Sequence, residues 1–243
     1  MGKSSGNFLS RAKDMYELKE LERLGLTPDP LQREMILKYL TLLLKWNGAA
    51  GLVSKKDEEN LFIRHFCDSL QPLLLFGFKK NAHMLDVGSG GGFPAIPTRI
   101  FRSDLTIVCA EANRKKARFL EEAKKELGIE NISVYNGRVE KMSKPERKFD
   151  YIVSRGVGTL KEFSQLAKPF IAPGDGRMYT FKGKDFAAEL DVITTNKEKD
   201  GVKISEIAEY DLGNQIFGLK LVSLELTEPQ HVLKNKETSN PAQ

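Results

Sequence analysis

Apolar residues in the first third of the chain recur every three or four positions, which is the spacing of an amphipathic helix. One such run covers residues 31–44 and follows a helix start signal at Asp29 and Pro30. A second covers residues 57–75, where Pro72 is expected to kink or divide the helix. The pattern therefore predicts an N-terminal helical region over residues 1–80.

From residue 83 onward, short apolar runs alternate with longer amphipathic stretches. The pattern predicts strands at 83–87, 105–110, 131–135, 149–154, 176–182, 202–208 and 219–226, and helices at 93–101, 113–127, 160–170 and 185–195. Alternating strands and helices predict an α/β domain over residues 81–228, with a mostly parallel seven-stranded sheet and helices on both faces. The last two strands, joined by a Gly213-Asn214 turn, predict an antiparallel pair at one edge. Residues 229–243 are polar and predict a flexible tail.

Composition places the chain among globular proteins. It has 243 residues, of which 40% are hydrophobic and 29% charged, and this excludes disordered, fibrous and disulfide-rich classes. No apolar run approaches the ~20 residues that a membrane helix needs, and no secretory signal is visible, so we expect a cytoplasmic protein. Two distant cysteines and three histidines predict no metal site. The formal charge of +5 permits an anionic partner.

A glycine-rich turn follows the first predicted strand, at the usual ligand crevice of doubly wound sheets. Gly88, Gly90 and Gly92 follow Asp86 closely. Glycines allow a backbone to approach a ligand and to adopt positive φ angles. The dinucleotide fingerprint places its third glycine where this chain has Phe93, and a phosphate-binding P-loop needs a lysine that is absent. The turn therefore predicts a ligand site without a pyrophosphate.

The second predicted strand ends at Glu111, 21 residues after Gly90. A carboxylate at this position in a doubly wound fold accepts hydrogen bonds from ribose hydroxyls. Together with Asp86 and Gly88, these residues predict a nucleoside pocket that lacks a phosphate site. S-adenosylmethionine, which carries a ribose, an adenine and a charged amino-acid tail, is such a ligand.

Several short motifs occur in order along residues 42–183. They are Lys45-Trp46-Asn47, Arg64-His65 with Asp68-Ser69-Leu70, the block from Gly88 to Pro97, Arg138-Val139-Glu140, Ser154-Arg155 and Lys182-Gly183. At these spacings the chain resembles the bacterial small-subunit ribosomal RNA (guanine-N7) methyltransferase G family, also called the glucose-inhibited division protein B family. The resemblance implies a Rossmann-like methyltransferase fold with an N-terminal helical extension. It also implies methylation of guanine N7 in 16S ribosomal RNA, with S-adenosylhomocysteine as product.

The resemblance assigns site residues by position. It implies that Gly88 and Phe93 line the methyl-donor pocket, that Val139 and Glu140 contact the adenine end, and that Arg155 faces the donor or the target base. The chain departs from the family pattern at Glu111, where aspartate is usual, and at Gly156-Val157, where the family has Ala-Phe. The implied partner is small-subunit ribosomal RNA or the 30S particle, bound by a monomer.

The motifs near the predicted pocket are compatible with methylation at guanine N7. That nitrogen carries a lone pair and no proton, so its methylation needs no general base and depends on alignment and electrostatics. The motif typical of exocyclic amine methylation is replaced by Ser154-Arg155-Gly156-Val157, and neither Cys67 nor Cys109 lies in a predicted turn near the site. We expect Arg155 and Arg138 to hold the guanine, because arginine binds its O6 edge.

Basic residues are concentrated near the predicted pocket. Residues 79–126 hold ten basic and six acidic residues, and cations of this kind bind RNA phosphates. The candidates for RNA contact are His65, Arg114, Lys115, Lys116, Arg118 and Lys182, and Asp68 is expected to orient His65. Two alternatives stay open on sequence alone: a methyltransferase of the same fold that acts on a small molecule or protein, and a non-catalytic RNA-binding assembly factor.

Overall fold

A computed structural model describes residues 8, 10, 18–183, 186, 189–190, 201–212 and 216–227. Its α-helices are α1 (Leu18–Arg23), α2 (Pro30–Ala50), α3 (Lys55–Glu58), α4 (Gln71–Phe76), α5 (Ala95–Phe101), α6 (Arg114–Glu126) and α7 (Leu160–Ala167). Its strands are β1 (His83–Val87), β2 (Thr106–Glu111), β3 (Ile132–Asn136), β4 (Tyr151–Arg155), β5 (Arg177–Lys182), β6 (Val202–Leu212) and β7 (Ile216–Leu226). Most of the predicted helix at 185–195, the Gly213-Asn214 turn and the predicted tail lie outside the described residues.

The strands form one seven-stranded sheet in the order β3-β2-β1-β4-β5-β7-β6. The first five strands of the chain are parallel, while β7 runs antiparallel to both β5 and β6. The predicted α/β class and the antiparallel edge pair are therefore confirmed. Chain order reverses between β1 and β4, and ligands bind at the carboxyl ends of strands at such a switch point.

Both faces of the sheet are covered by helices, as predicted. Alternate residues of a strand point to opposite faces, so Met84 of β1 packs in one apolar cluster and Leu85 in another. The first cluster contains the apolar faces of α2, α5 and α6, and the second contains that of α7. The N-terminal helices therefore lie on the same face as α5 and α6. None of the helices in the described part of the chain is long and apolar enough to cross a membrane.

The helix predicted over residues 57–75 is divided into three pieces. Ser54 caps the short helix α3, a π-helical turn follows at Phe62–Cys67, and Pro72 lies in the first turn of α4. The expected division near Pro72 is confirmed, since α4 begins as a separate helix at Gln71. The physical reason is that proline has no N–H to donate to the preceding turn. The π-helical turn was not predicted, because periodicity does not separate it from an α-helix. Such turns occur frequently at functional sites.

Candidate active site

The loop between β1 and α5 has the conformation that its glycines allow. Gly88 has φ +73° and Gly90 has φ +54°, both in the left-handed region. A Cβ atom on Gly88 would lie 2.8 Å from Cγ2 of Val157, which belongs to the loop after β4. Only glycine therefore lets these two loops meet at the carboxyl edge of the sheet.

Asp86 is completely buried beneath this loop. Its Oδ2 atom accepts a hydrogen bond from the Ala95 N–H at 3.3 Å, while Oδ1 has no partner in the described residues. Burial raises the pKa of Asp86 to about 8, against the opposing hydrogen bonds of Ser89 and Ala95. The carboxyl group is therefore largely protonated at neutral pH and links β1 to the start of α5.

Glu111 connects the end of β2 to the glycine loop. Its Oε2 atom accepts from the Gly90 N–H at 2.8 Å, and its Oε1 atom accepts from the Asn113 N–H at 2.7 Å. Each carboxylate oxygen can accept a further hydrogen bond. The carboxylate shapes the loop and retains acceptor capacity, and its contact with a ribose stays a prediction.

The N-terminal helical region supplies one wall of the site. The Tyr39 hydroxyl of α2 donates to the Gly91 carbonyl at 2.5 Å, and its ring lies 5.6 Å from that of Phe93 between centroids. The ring of His65 also lies 5.2 Å from that of Phe93 between centroids. Tyr39 was missed at the sequence level, because helical periodicity marks it as a core residue and says nothing about its hydroxyl partner.

Arg155, the last residue of β4, is held on several sides. One terminal nitrogen donates to Nδ1 of His65 at 2.8 Å. The other binds Oδ2 of Asp68 at 2.8 Å and the Arg64 carbonyl, and the guanidinium carbon lies 5.8 Å from the centre of the Phe181 ring. A guanidinium has five N–H groups. In its hydrogen bonds and ion pair with described residues Arg155 uses three of them, and the other two have no partner among these residues.

His65 is neutral in this environment. A guanidinium only donates, so Nδ1 of His65 accepts from Arg155 and the ring proton lies on Nε2, which is 4.0 Å from Oδ2 of Asp57. Burial and the charge of Arg155 lower the pKa of His65 to about 4. The prediction that Asp68 orients His65 is wrong, because Asp68 binds Arg155 and accepts from the Tyr210 hydroxyl at 2.6 Å. Tyr210, distant in sequence and outside every motif, was missed.

The remaining predicted site residues have different surroundings. Val139 is buried in the apolar cluster under α7, whereas Arg138 and Glu140 are exposed after β3. The Lys182 side chain is only 8% exposed, and its ammonium donates to the Gly158 carbonyl and to Glu189, both at 2.9 Å. In the structure Lys182 therefore joins β5 to the loop before α7, and its contact with RNA stays a prediction.

The predicted basic residues of α6 form a surface beside the pocket. Arg114, Lys115 and Arg118 are exposed and Lys116 is half-buried. A groove of about 470 Å³ is lined by residues of α6 and β3, among them Arg114, Arg118, Lys125, Glu121 and Glu122. Among the described residues, no ion pair engages the three basic side chains that line the groove, Arg114, Arg118 and Lys125. The described part of the chain contains no group of three side chains able to hold a metal ion.

Comparison with known proteins agrees with this geometry. The family model described as rRNA small subunit methyltransferase G matches residues 32–216. A ribosomal RNA small subunit methyltransferase G from Chromobacterium violaceum is 39% identical over 79% of this chain and 88% of its own length. One from Dehalococcoides mccartyi is 31% identical over 91% of this chain and 95% of its own length.

Solved structures share the fold at low sequence identity. A SAM-dependent methyltransferase from Aquifex aeolicus has a TM-score of 0.52 at 17% identity and covers 70% of this chain and 94% of its own. The tRNA (m1A58) methyltransferase from the same organism has a TM-score of 0.52 at 13% identity, over 67% of this chain and 69% of its own. The fold is that of S-adenosylmethionine-dependent methyltransferases, and the chain belongs to the rRNA small subunit methyltransferase G family.

Proposed function

We propose that this protein acts as a cytoplasmic monomer and transfers a methyl group from S-adenosylmethionine to N7 of a guanine in 16S ribosomal RNA. The observation that carries the proposal is the position of Arg155. Its guanidinium is held at the carboxyl end of β4, next to the strand that carries the glycine loop, and it keeps two N–H groups for a ligand. Family membership supplies the RNA as the substrate class.

The residues around the glycine loop fit the methyl donor. The loop between β1 and α5 is formed by glycines with positive φ at the carboxyl edge of the sheet, and the buried Asp86 beneath it has one oxygen without a partner among the described residues. We assign Gly88, Gly90 and Phe93 to the amino-acid end of the donor, Glu111 to its ribose, and Val139 and Glu140 to its adenine. When bound, S-adenosylmethionine supplies a methyl group made electrophilic by a sulfonium.

The acceptor side requires orientation rather than proton transfer. N7 of guanine has no proton to lose, so the site needs no general base. The accepting nitrogen of His65, Nδ1, is already engaged by Arg155. Arg155 would bind O6 of the guanine, next to N7, and Arg138 would approach the base from the end of β3. Holding the base in line with the methyl group can lower the barrier by about 7–11 kcal/mol.

The exposed cations of α6 extend the site toward the rest of the RNA. Arg114, Lys115, Lys116 and Arg118 would contact phosphates, which position a nucleic acid without reading its sequence. These residues occupy the first turns of the helix, where acidic side chains are normally favoured by the helix dipole. An RNA phosphate would supply the missing negative charge. Lys182 would join these contacts only if it exchanged its bond to Glu189.

The test is transfer of radiolabelled methyl groups from S-adenosylmethionine to 30S subunits that lack N7-methylguanine, followed by chemical cleavage at methylated guanines. We expect one labelled guanine in the 16S RNA. Parallel reactions with free 16S RNA, with ribosomal proteins and with a mixture of small metabolites identify the alternatives. Label in a metabolite or protein alone would overturn the RNA assignment. Donor-independent RNA binding without any transfer would indicate a non-catalytic assembly factor.

A further inference from the structure

Two irregular backbone segments converge on Arg155. The π-helical turn at Phe62–Cys67 and its C-cap carry Arg64, His65 and Asp68, all of which contact the guanidinium or its partners. On the other side, the ladder between β6 and β7 is irregular directly after Tyr210. Bulges of this kind redirect side chains and occur frequently near active sites. Here the Tyr210 hydroxyl reaches Oδ1 of Asp68 at 2.6 Å.

The chain Tyr210–Asp68–Arg155 joins three distant parts of the fold. The Asp68 side chain is 6% exposed and uses one oxygen for Arg155 and the other for Tyr210. With both oxygens engaged at short distance, the carboxylate cannot rotate without breaking a bond. The guanidinium of Arg155 is therefore held through both N–H groups of Nη2 and one of Nη1, while its Nε–H and the second Nη1–H have no partner among the described residues.

Stability alone does not account for this arrangement. Burial of an ion pair costs desolvation, and apolar side chains of similar size are often as stable or more stable in its place. What a buried pair with additional hydrogen bonds provides is a defined geometry. Two N–H groups of the guanidinium have no partner among the described residues, so the defined geometry leaves Arg155 with donors that a ligand can use.

We infer that Asp68 and Tyr210 are positioning residues that hold the guanidinium of Arg155 in register with the Hoogsteen edge of the target guanine. This inference rests on the proposed function. Among the described residues, the side-chain contacts of Asp68 and Tyr210 are with Arg155 and with each other, so we expect their loss to act on methyl transfer through Arg155 and to leave the glycine loop intact. A displacement of about 1 Å in a positioning group can cost about 100-fold in rate.

The experiment compares single-turnover methyl transfer to 30S subunits at saturating S-adenosylmethionine for wild type, Tyr210→Phe and Asp68→Asn. Tyr210→Phe removes only a hydroxyl, and we expect a rate lower by about tenfold. Asp68→Asn removes the charge, and we expect a loss of about 100-fold. Calorimetric titration with S-adenosylhomocysteine measures the donor pocket, where we expect affinities within twofold of wild type.

Tyr151→Phe is the matched control. It also removes a tyrosine hydroxyl from the sheet, one that accepts from the Lys79 N–H at 3.0 Å near the opposite, amino end of β4. We expect it to keep the wild-type transfer rate. Circular dichroism melts of all variants separate a loss of fold from a loss of geometry, and Tyr210→Phe remains informative if Asp68→Asn does not fold.

A double-mutant cycle shows whether Tyr210 acts through Arg155. In an Arg155→Ala background, Tyr210→Phe should cause no further loss, because the group that it positions is gone. An equal loss in both backgrounds, or unchanged rates for both Tyr210→Phe and Asp68→Asn, would overturn the inference while the proposed function stands. Absence of transfer by the wild type would remove the proposed function and this inference with it.

Discussion

The glycine loop after β1 and the polar cluster around Arg155 lie at the ends of neighbouring strands, yet they are constructed in different ways. The loop consists of consecutive residues whose positive φ angles require glycine. The cluster is assembled from the π-helical turn, the end of β4 and the irregular strand β6. One half of the site is thus a property of local sequence, and the other exists only after the chain has folded.

Two buried carboxyl groups show the electrostatic side of this difference. Asp86 has one oxygen without a partner, and burial raises its pKa to about 8. Burial also raises the pKa of Asp68, but Arg155 and the Tyr210 hydroxyl oppose that shift. The donor half therefore contains a carboxyl group that is neutral near pH 7, whereas in the acceptor half a cation is paired with its carboxylate. The two halves of the site therefore differ in the charge that they present: the donor half has an uncharged buried carboxyl group, and the acceptor half has a guanidinium paired with a carboxylate.

The largest effect is expected from Gly90→Asp. The added carboxylate enters a residue with φ +54° and stands beside Glu111, whose Oε2 binds the Gly90 N–H. A second carboxylate close to Glu111 repels it and competes for the Gly90 N–H that shapes the loop. We expect affinity for S-adenosylhomocysteine to fall more than 100-fold in calorimetric titration.

Two alanine variants sharpen the interpretation of Gly90→Asp. Gly90→Ala adds strain without charge, and its Cβ would lie 3.8 Å from the Gly88 carbonyl, so we expect a loss of only about tenfold. Gly48→Ala, in α2 with no neighbour within 4 Å of the added Cβ, should leave affinity unchanged. Wild-type affinity in Gly90→Asp would show that the donor binds elsewhere.

The next effect concerns the other half of the site. Arg155→Lys keeps the charge but loses the fork that binds His65 and Asp68 together with a base edge. We expect the rate of methyl transfer at saturating donor to fall by about 100-fold, a typical result of removing one preorganised donor. Affinity for S-adenosylhomocysteine should change less than twofold. Equal losses in rate and donor affinity would contradict the division into two halves.

The contrast between the locally encoded glycine loop and the cluster assembled around Arg155 also explains which features could be predicted from the sequence. Strand and helix periodicity predicted the sheet and its antiparallel edge, and glycine spacing located the loop, because both signals are local. Motif order supplied Arg155 and His65. The pairing of Asp68 with Tyr210 connects residues 142 positions apart, and neither periodicity nor spacing contains that contact. The π-helical turn was missed because it has nearly the same apolar spacing as an α-helix.

A smaller effect concerns the buried carboxyl group of the donor half, Asp86, and is seen in the dependence of stability on pH. Asp86 has a folded-state pKa of about 8, above its unfolded value, so between these values the folded protein binds a proton that the unfolded chain lacks. Its contribution to stability is present at low pH and is lost as pH rises toward 8. Relative to Asp86→Asn, the wild type should lose about 1 kcal/mol of unfolding free energy per pH unit between pH 6.5 and 7.5.

Urea denaturation of both proteins at several pH values measures this slope. The chosen window lies above the pKa of His65, which burial lowers to about 4 and whose contribution to stability decreases only as pH falls below its unfolded value. Parallel slopes for wild type and Asp86→Asn would show that Asp86 is ionised in the folded protein. In that case its free oxygen is bound by a group outside the described contacts.

The smallest effect belongs to the basic surface of α6, which serves neither half of the pocket directly. Arg118→Ala removes one exposed cation that would contact a phosphate, and we expect 30S binding to weaken a few-fold at low salt. The slope of log affinity against log salt should decrease by about 1. Lys203→Ala removes an exposed cation of β6, the strand at the other end of the sheet from β3, and should leave the slope unchanged. Equal slopes for both variants would remove α6 from the RNA-binding surface and leave RNA contact to the cluster around Arg155.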